Sequence, residues 1–99
     1  MQKIKEHLVE GKEVECKLSG GSMQPIIPSG SKVRIVPIRR EDVQVDDIVF
    51  CRVKGSYKLH KVFSIDDKRG FKIGNNHGHI NGWTKSIYGK FVGIVKDEK

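Results

Sequence analysis

The chain lacks any long apolar run: nothing in it approaches the ~18 consecutive apolar residues of a membrane-spanning helix, because charged or polar residues interrupt every hydrophobic stretch. The Met1–Leu8 segment also lacks the apolar core of a secretion signal, so the sequence predicts a soluble, cytoplasmic protein without a membrane span. Cysteine is scarce. Cys16 and Cys51 are the only two, with neither metal-ligand spacing nor a disulfide framework. Each lies in an alternating stretch where a thiol serves as a small core residue. Aromatic residues make up 7%, which leaves few platforms for stacking nucleic-acid bases. Acidic residues are the minority, 12 against 19 Lys and Arg, for a net charge of +7. The positive residues are scattered singly or in pairs along the chain, which describes a solvated cationic surface better than a nucleic-acid site. An acidic protein partner or nonspecific nucleic-acid contact stays open.

What the chain does have suffices for one domain over residues 1–99, with 36% hydrophobic residues for one modest core. Ile4 and Leu8 share a face of a short helix over residues 2–10, which Gly11 ends. Alternating apolar residues predict strands over Glu13–Ser19, Lys32–Pro37, Ile48–Val53, Tyr57–Ile65 and Ser86–Val95, with Phe71–Ile73 a shorter one. Lys54-Gly55-Ser56 and Asp66–Gly70 are the turns of successive hairpins, and Arg39–Val43 carries a further turn. Gly74–Trp83 reads as a polar loop, and Gly89 and Gly93 as bulges in the last strand. The expected fold is mainly β: a coiled, partly barrel-like antiparallel sheet with a short N-terminal helix.

Two segments carry chemistry. In Gly20-Gly21-Ser22-Met23-Gln24-Pro25, paired glycines let the backbone turn sharply and present the Ser22 hydroxyl at the tip of a loop. In Tyr57-Lys58-Leu59-His60-Lys61-Val62, an imidazole sits within a strand. A hydroxyl becomes a nucleophile at neutral pH only when a base removes its proton, and histidine has the ordinary pKa for that task.

These segments, in this order, resemble the signal-peptidase and LexA-like serine peptidases. The pattern of that superfamily runs Ser-Met-x-Pro, Gly-Asp before a strand, Gly-Asp-Ile-Val, a base-bearing strand, then Gly-Asp-Asn. Ser22-Met23-Gln24-Pro25 matches the first part, Gly30 half of the second, and Asp47-Ile48-Val49 most of the third. Leu59-His60-Lys61-Val62 is similar to the His-Arg-Val form of the base strand, and Gly74-Asn75-Asn76 matches the last part with asparagine for aspartate. The resemblance covers roughly residues 14–95. It implies a serine endopeptidase in which Ser22 attacks a peptide carbonyl and His60 takes the proton. Gly21 and the Ser22 N–H would then support the oxyanion, and Met23 and Pro25 would bind substrate. The implied partner is a protein or peptide, lying extended beside the strand after the Ser–Met loop; no cofactor or metal is implied.

The pattern also departs from the family. The supporting aspartate is missing, with no carboxylate between Gly74 and Asp97, so Asn75 or Asn76 is the substitute; such a pairing leaves His60 near its ordinary pKa. Gly20 stands where many relatives have an oxyanion-supporting serine. Lys58 and Lys61 flank the base and are expected on the opposite face of the strand. A catalytically decayed module that binds a protein partner or nucleic acid is the alternative. His77 and His79, with His60, form a weaker alternative as a three-nitrogen metal site. Trp83, the single tryptophan, reads as a core or rim residue.

Overall fold

The computed structural model describes residues 2–17, 30–75 and 77–95. The helix, α1, spans Gln2–Val9 and sets Ile4 and Leu8 against the sheet, with Leu8 buried. Gly11 ends it in the left-handed conformation, at a φ of 83°. Its N–H donates to the Leu8 carbonyl at 3.0 Å and that of Lys12 to the His7 carbonyl at 2.9 Å, the paired bonds of a Schellman cap.

Seven strands follow: β1 (Val14–Lys17), β2 (Lys32–Pro37), β3 (Ile48–Val53), β4 (Ser56–Asp66), β5 (Gly70–Gly74), β6 (Ile80–Thr84) and β7 (Ser86–Ile94). They form one sheet in the order β1-β2-β7-β3-β4-β5-β6, antiparallel at every pairing. The chain is therefore mainly β with one short N-terminal helix, as its alternating segments predict. β1 and β6 are the edges, so the sheet is open. It curls back on itself where the Thr84 hydroxyl of β6 donates to the Arg52 carbonyl of β3. A 3-10 turn at Arg40–Asp42 links β2 to β3.

Local chemistry sets the hairpins. Lys54 and Gly55 have φ angles of 50° and 80°, giving the two left-handed central residues of a type I′ turn between Val53 and its partner Ser56. At the next turn, Asp66 Oδ1 accepts the N–H groups of Lys68 at 2.7 Å and Arg69 at 3.0 Å. β7 shifts register against β3 next to Gly89 and against β2 next to Gly93, where the sequence places bulges.

One expectation fails. The stretch read as a polar loop, Gly74–Trp83, contains β6, paired with β5. Asn81 and Gly82 hide the alternation, because neither is a strand former and Gly82 takes a φ of 137° at a register shift. The true loop is confined to residues between Gly74 and Ile80.

The two faces of the sheet bury separate clusters. On one, Leu8 meets Val33, Ile35, Ile48, Phe50 and Leu59. On the other, inside the curl, Val49, Cys51, Val53, Val62, Phe71, Ile73, Ile87 and Val43 pack together. Among the described residues no helix is long and apolar enough to cross a membrane.

Candidate active site around His60

β4 places His60 opposite Val49 of β3. Strand alternation puts it with Val62 on the inner side of the curl, and only 7% of it is exposed. The same alternation corrects the reading of its neighbours. Lys58 is two residues away and shares the face of His60, where its positive charge acts on the imidazole. Lys61 alone turns to the other face, with its Nζ 3.3 Å from Asp46 Oδ1.

His60 Nδ1 lies 2.6 Å from the Leu59 carbonyl oxygen. A carbonyl oxygen can only accept, so Nδ1 carries the proton and Nε2 keeps its lone pair. A backbone carbonyl thus fixes the tautomer, a task the sequence assigns to a side-chain amide. Burial is the main force on the pKa of His60 and lowers it from 6.5, against the raising effect of the Leu59 hydrogen bond; the charges of Lys58 and His79 lower it further. The imidazole is neutral at pH 7, and its pKa is displaced downward from the ordinary value that a His–Asn pairing would leave.

Asn75 closes the nearby loop. Its Oδ1 accepts the N–H of His77 at 2.9 Å and that of His79 at 3.0 Å, while its own N–H donates to the His79 carbonyl at 2.9 Å. The amide oxygen is therefore committed to shaping the Gly74–Ile80 turn, which sets His79 within electrostatic reach of His60. Among the described residues no group of three or more His, Cys, Asp and Glu is placed to hold a metal ion.

Apart from the bond between the Leu59 carbonyl and His60, the backbone beside the base meets no strand on one side among the described residues. β3 pairs with β4 from Ser56 to Lys61, whereas β5 pairs with it from Lys61 onward. In a hairpin closed by a two-residue turn, the Val53–Ser56 pair exchanges both hydrogen bonds, and the pattern alternates from there. Tyr57 and Leu59 therefore aim their N–H and C=O groups away from β3, where no strand pairs with them among the described residues. Along Val33–Ile35, β2 offers no such edge among the described residues. It pairs with β1 along Lys32–Ile35 and with β7 along Val33–Pro37, so an extended substrate cannot add beside it there, contrary to what the resemblance implies.

Gly21, Ser22, Met23, Pro25 and Asn76 lie outside the described residues. Of the candidate site residues, His60 and Asn75 are placed, and no residue type signals the Leu59 carbonyl, whose role depends on backbone direction alone. A scan against protein-family models and searches of curated proteins and of solved structures return no match to this chain.

Proposed function

We propose that the chain is a serine endopeptidase domain in which His60 is the general base and Ser22 the nucleophile. The observation that carries this reading is the buried His60, neutral and with Nδ1–H held by the Leu59 carbonyl, so that Nε2 is the atom left to accept a proton. Ser22 attacks the peptide carbonyl; His60 Nε2 takes the hydroxyl proton and returns it to the leaving amine. Gly21 and the Ser22 N–H support the oxyanion, Met23 and Pro25 contact the substrate, and Asn75 shapes the loop beside the base. The substrate is a protein segment in extended form, taken up on the unpaired side of Tyr57–Leu59.

A second observation supports the family reading. Asp46, at the glycine position of the Gly-Asp-Ile-Val pattern, has a φ of 78°, a conformation that glycine adopts readily and aspartate tolerates. Free cysteines at positions 16 and 51 suit a reducing compartment such as the cytoplasm.

The commitment of Asn75 Oδ1 to loop N–H groups favours a second reading, in which the site has decayed and the domain binds its partner without cutting it. Incubation with a peptide library, read by mass spectrometry, separates the two. The peptidase reading expects new termini with the parent chain and none with Ser22→Ala or His60→Ala. Cleavage that persists unchanged in Ser22→Ala removes Ser22 from the chemistry, and no cleavage by any chain leaves the binding reading.

A further inference from the structure

The positive charge is concentrated in the second half of the chain, and the fold brings Lys61, Arg69 and Lys72 of it to one face. Residues 48–95 hold nine Lys and Arg against two Asp, so the whole net charge of +7 lies in that segment, while residues 1–47 balance at eight of each sign. Strand register then sorts the side chains. Phe71 and Ile73 of β5 face the inner cluster, so Lys72 faces outward, between its partners Ser64 of β4 and Trp83 of β6. Lys61 and Ile80 flank Gly74 on the same outer face.

Two rings share this surface. The Phe63 ring lies against Gly74, where a β-carbon would stand 2.8 Å from its Cε2 and 2.5 Å from the His79 carbonyl oxygen, so glycine leaves room for both. Trp83 is covered by the Arg69 guanidinium, 4.3 Å from the ring centroid, and Lys61 Nζ stands 5.4 Å from the Phe63 centroid. Asp46 and Asp66 pair with Lys61 and Arg69 at the two margins, and Lys72 stands between them.

We propose that this outer face of β4, β5 and β6 binds single-stranded nucleic acid. Aromatic rings beside cations suit a ligand that alternates planar bases with phosphates: bases stack on Phe63 and on the Trp83–Arg69 pair, and Lys61 and Lys72 meet the phosphate backbone. The low aromatic content argues little against this, because two rings suffice when both lie on the charged face. A lipid surface would call for protruding apolar groups, whereas both rings are half-buried and only Ile80 is exposed, at 37%. An acidic peptide would use the cations but not the rings. The inference is independent of the peptidase reading and does not involve Ser22.

The test is fluorescence anisotropy with labelled oligothymidine and oligouridine of about 12 nucleotides, within the usual site size of such platforms. Competition by polyglutamate and co-sedimentation with phosphatidylserine vesicles run alongside. Expected is saturable oligonucleotide binding that weakens with salt. Phe63→Ala should weaken it about tenfold, the loss of one stacked base, and Trp83→Phe should retain most of it. Lys72→Gln should flatten the slope of log K against log salt by about 0.7, the value for one phosphate on a single strand. Thermal melts establish that each variant is folded, and the surface change Lys72→Gln remains informative where Phe63→Ala is not. The proposal is overturned if neither oligonucleotide binds, or if folded Phe63→Ala and Lys72→Gln both bind as the parent does. Tighter association with vesicles or polyglutamate than with either oligonucleotide overturns it as well.

Discussion

Leu8 of the helix reaches so close to the backbone of Gly89 in β7 that a β-carbon there would lie 2.9 Å from its Cδ1. The same carbon would stand 2.7 Å from Ile35 Cγ2 and 2.8 Å from the Val36 carbonyl oxygen. The missing side chain of Gly89 is thus the seat of the helix, and its φ is unremarkable, so space and not conformation demands glycine. Gly89→Ala should cost about 2 kcal/mol by overpacking, which lowers the thermal midpoint of a domain this size by roughly 10 °C. A calorimetric midpoint within a degree or two of the parent would show that the helix can move away freely.

His60 makes stability depend on pH in a definite direction. Burial holds its folded-state pKa below 6.5, while the unfolded chain takes up the proton at about the ordinary value of 6.5. Between those two values the unfolded chain binds more protons, so this contribution is whole above about pH 6.5 and is lost as pH falls toward the folded-state value. Thermal melts from about pH 7 to about pH 5 should show a falling midpoint, with a shallower fall in His60→Gln. Equal slopes in the two proteins would remove His60 as the source.

Catalysis should follow the same displacement. If His60 is the base, turnover rises with pH and reaches its plateau without needing to pass far above pH 6.5, since burial favours the neutral imidazole. A pH–rate profile that keeps rising above about pH 8 would point to a lysine base, and Lys58 on the same face is the one to replace.

Asn75 holds its loop through one amide oxygen shared by two N–H groups. Asn75→Ala should destabilise the protein by about 1 kcal/mol, the net worth of exposed hydrogen bonds whose donors turn to water instead, and should speed hydrogen exchange at the amides of His77 and His79. Asn75→Asp keeps an acceptor in place and should leave that exchange slow. Exchange unchanged in Asn75→Ala would mean that the loop holds its shape by other contacts.

The two thiols should differ in reactivity. Cys51 is fully buried, its Sγ lies 3.6 Å from the Lys58 carbonyl, and burial raises its pKa to about 12; Cys16 is half-buried and raised less far. At mildly alkaline pH, iodoacetamide should modify Cys16 first and Cys51 only in denaturant, as read by mass spectrometry. Equal labelling rates in the folded protein would contradict the burial of Cys51.

How much of this was legible beforehand follows from what each feature depends on. β2 and β3 were readable to the residue, because Val33 and Ile35 alternate with charged neighbours and Ile48–Val53 is strongly apolar. β6 was not, since Asn81-Gly82 looks like a turn until Ile73 and Gly74 of β5 supply its partners. His60 was legible as a candidate base by residue type and order. Its tautomer was not, because the partner is a main-chain oxygen that no residue type announces. Alternation sets Lys58, two residues from His60, on the face of the base and Lys61 on the other, so only Lys61 meets the expectation of an opposite face. The nearness of Lys61, Arg69 and Lys72 is not visible along the chain, because a pleated sheet groups residues two apart and across strands.

β3 gives Ile48 and Phe50 to one cluster and Val49, Cys51 and Val53 to the other. With one strand serving as the common wall, neither half can melt while its neighbour stays intact. Unfolding should accordingly be a single cooperative transition, and a cavity cut on either side of β3, by Ile35→Ala or Ile73→Ala, should lower the same midpoint instead of splitting it in two.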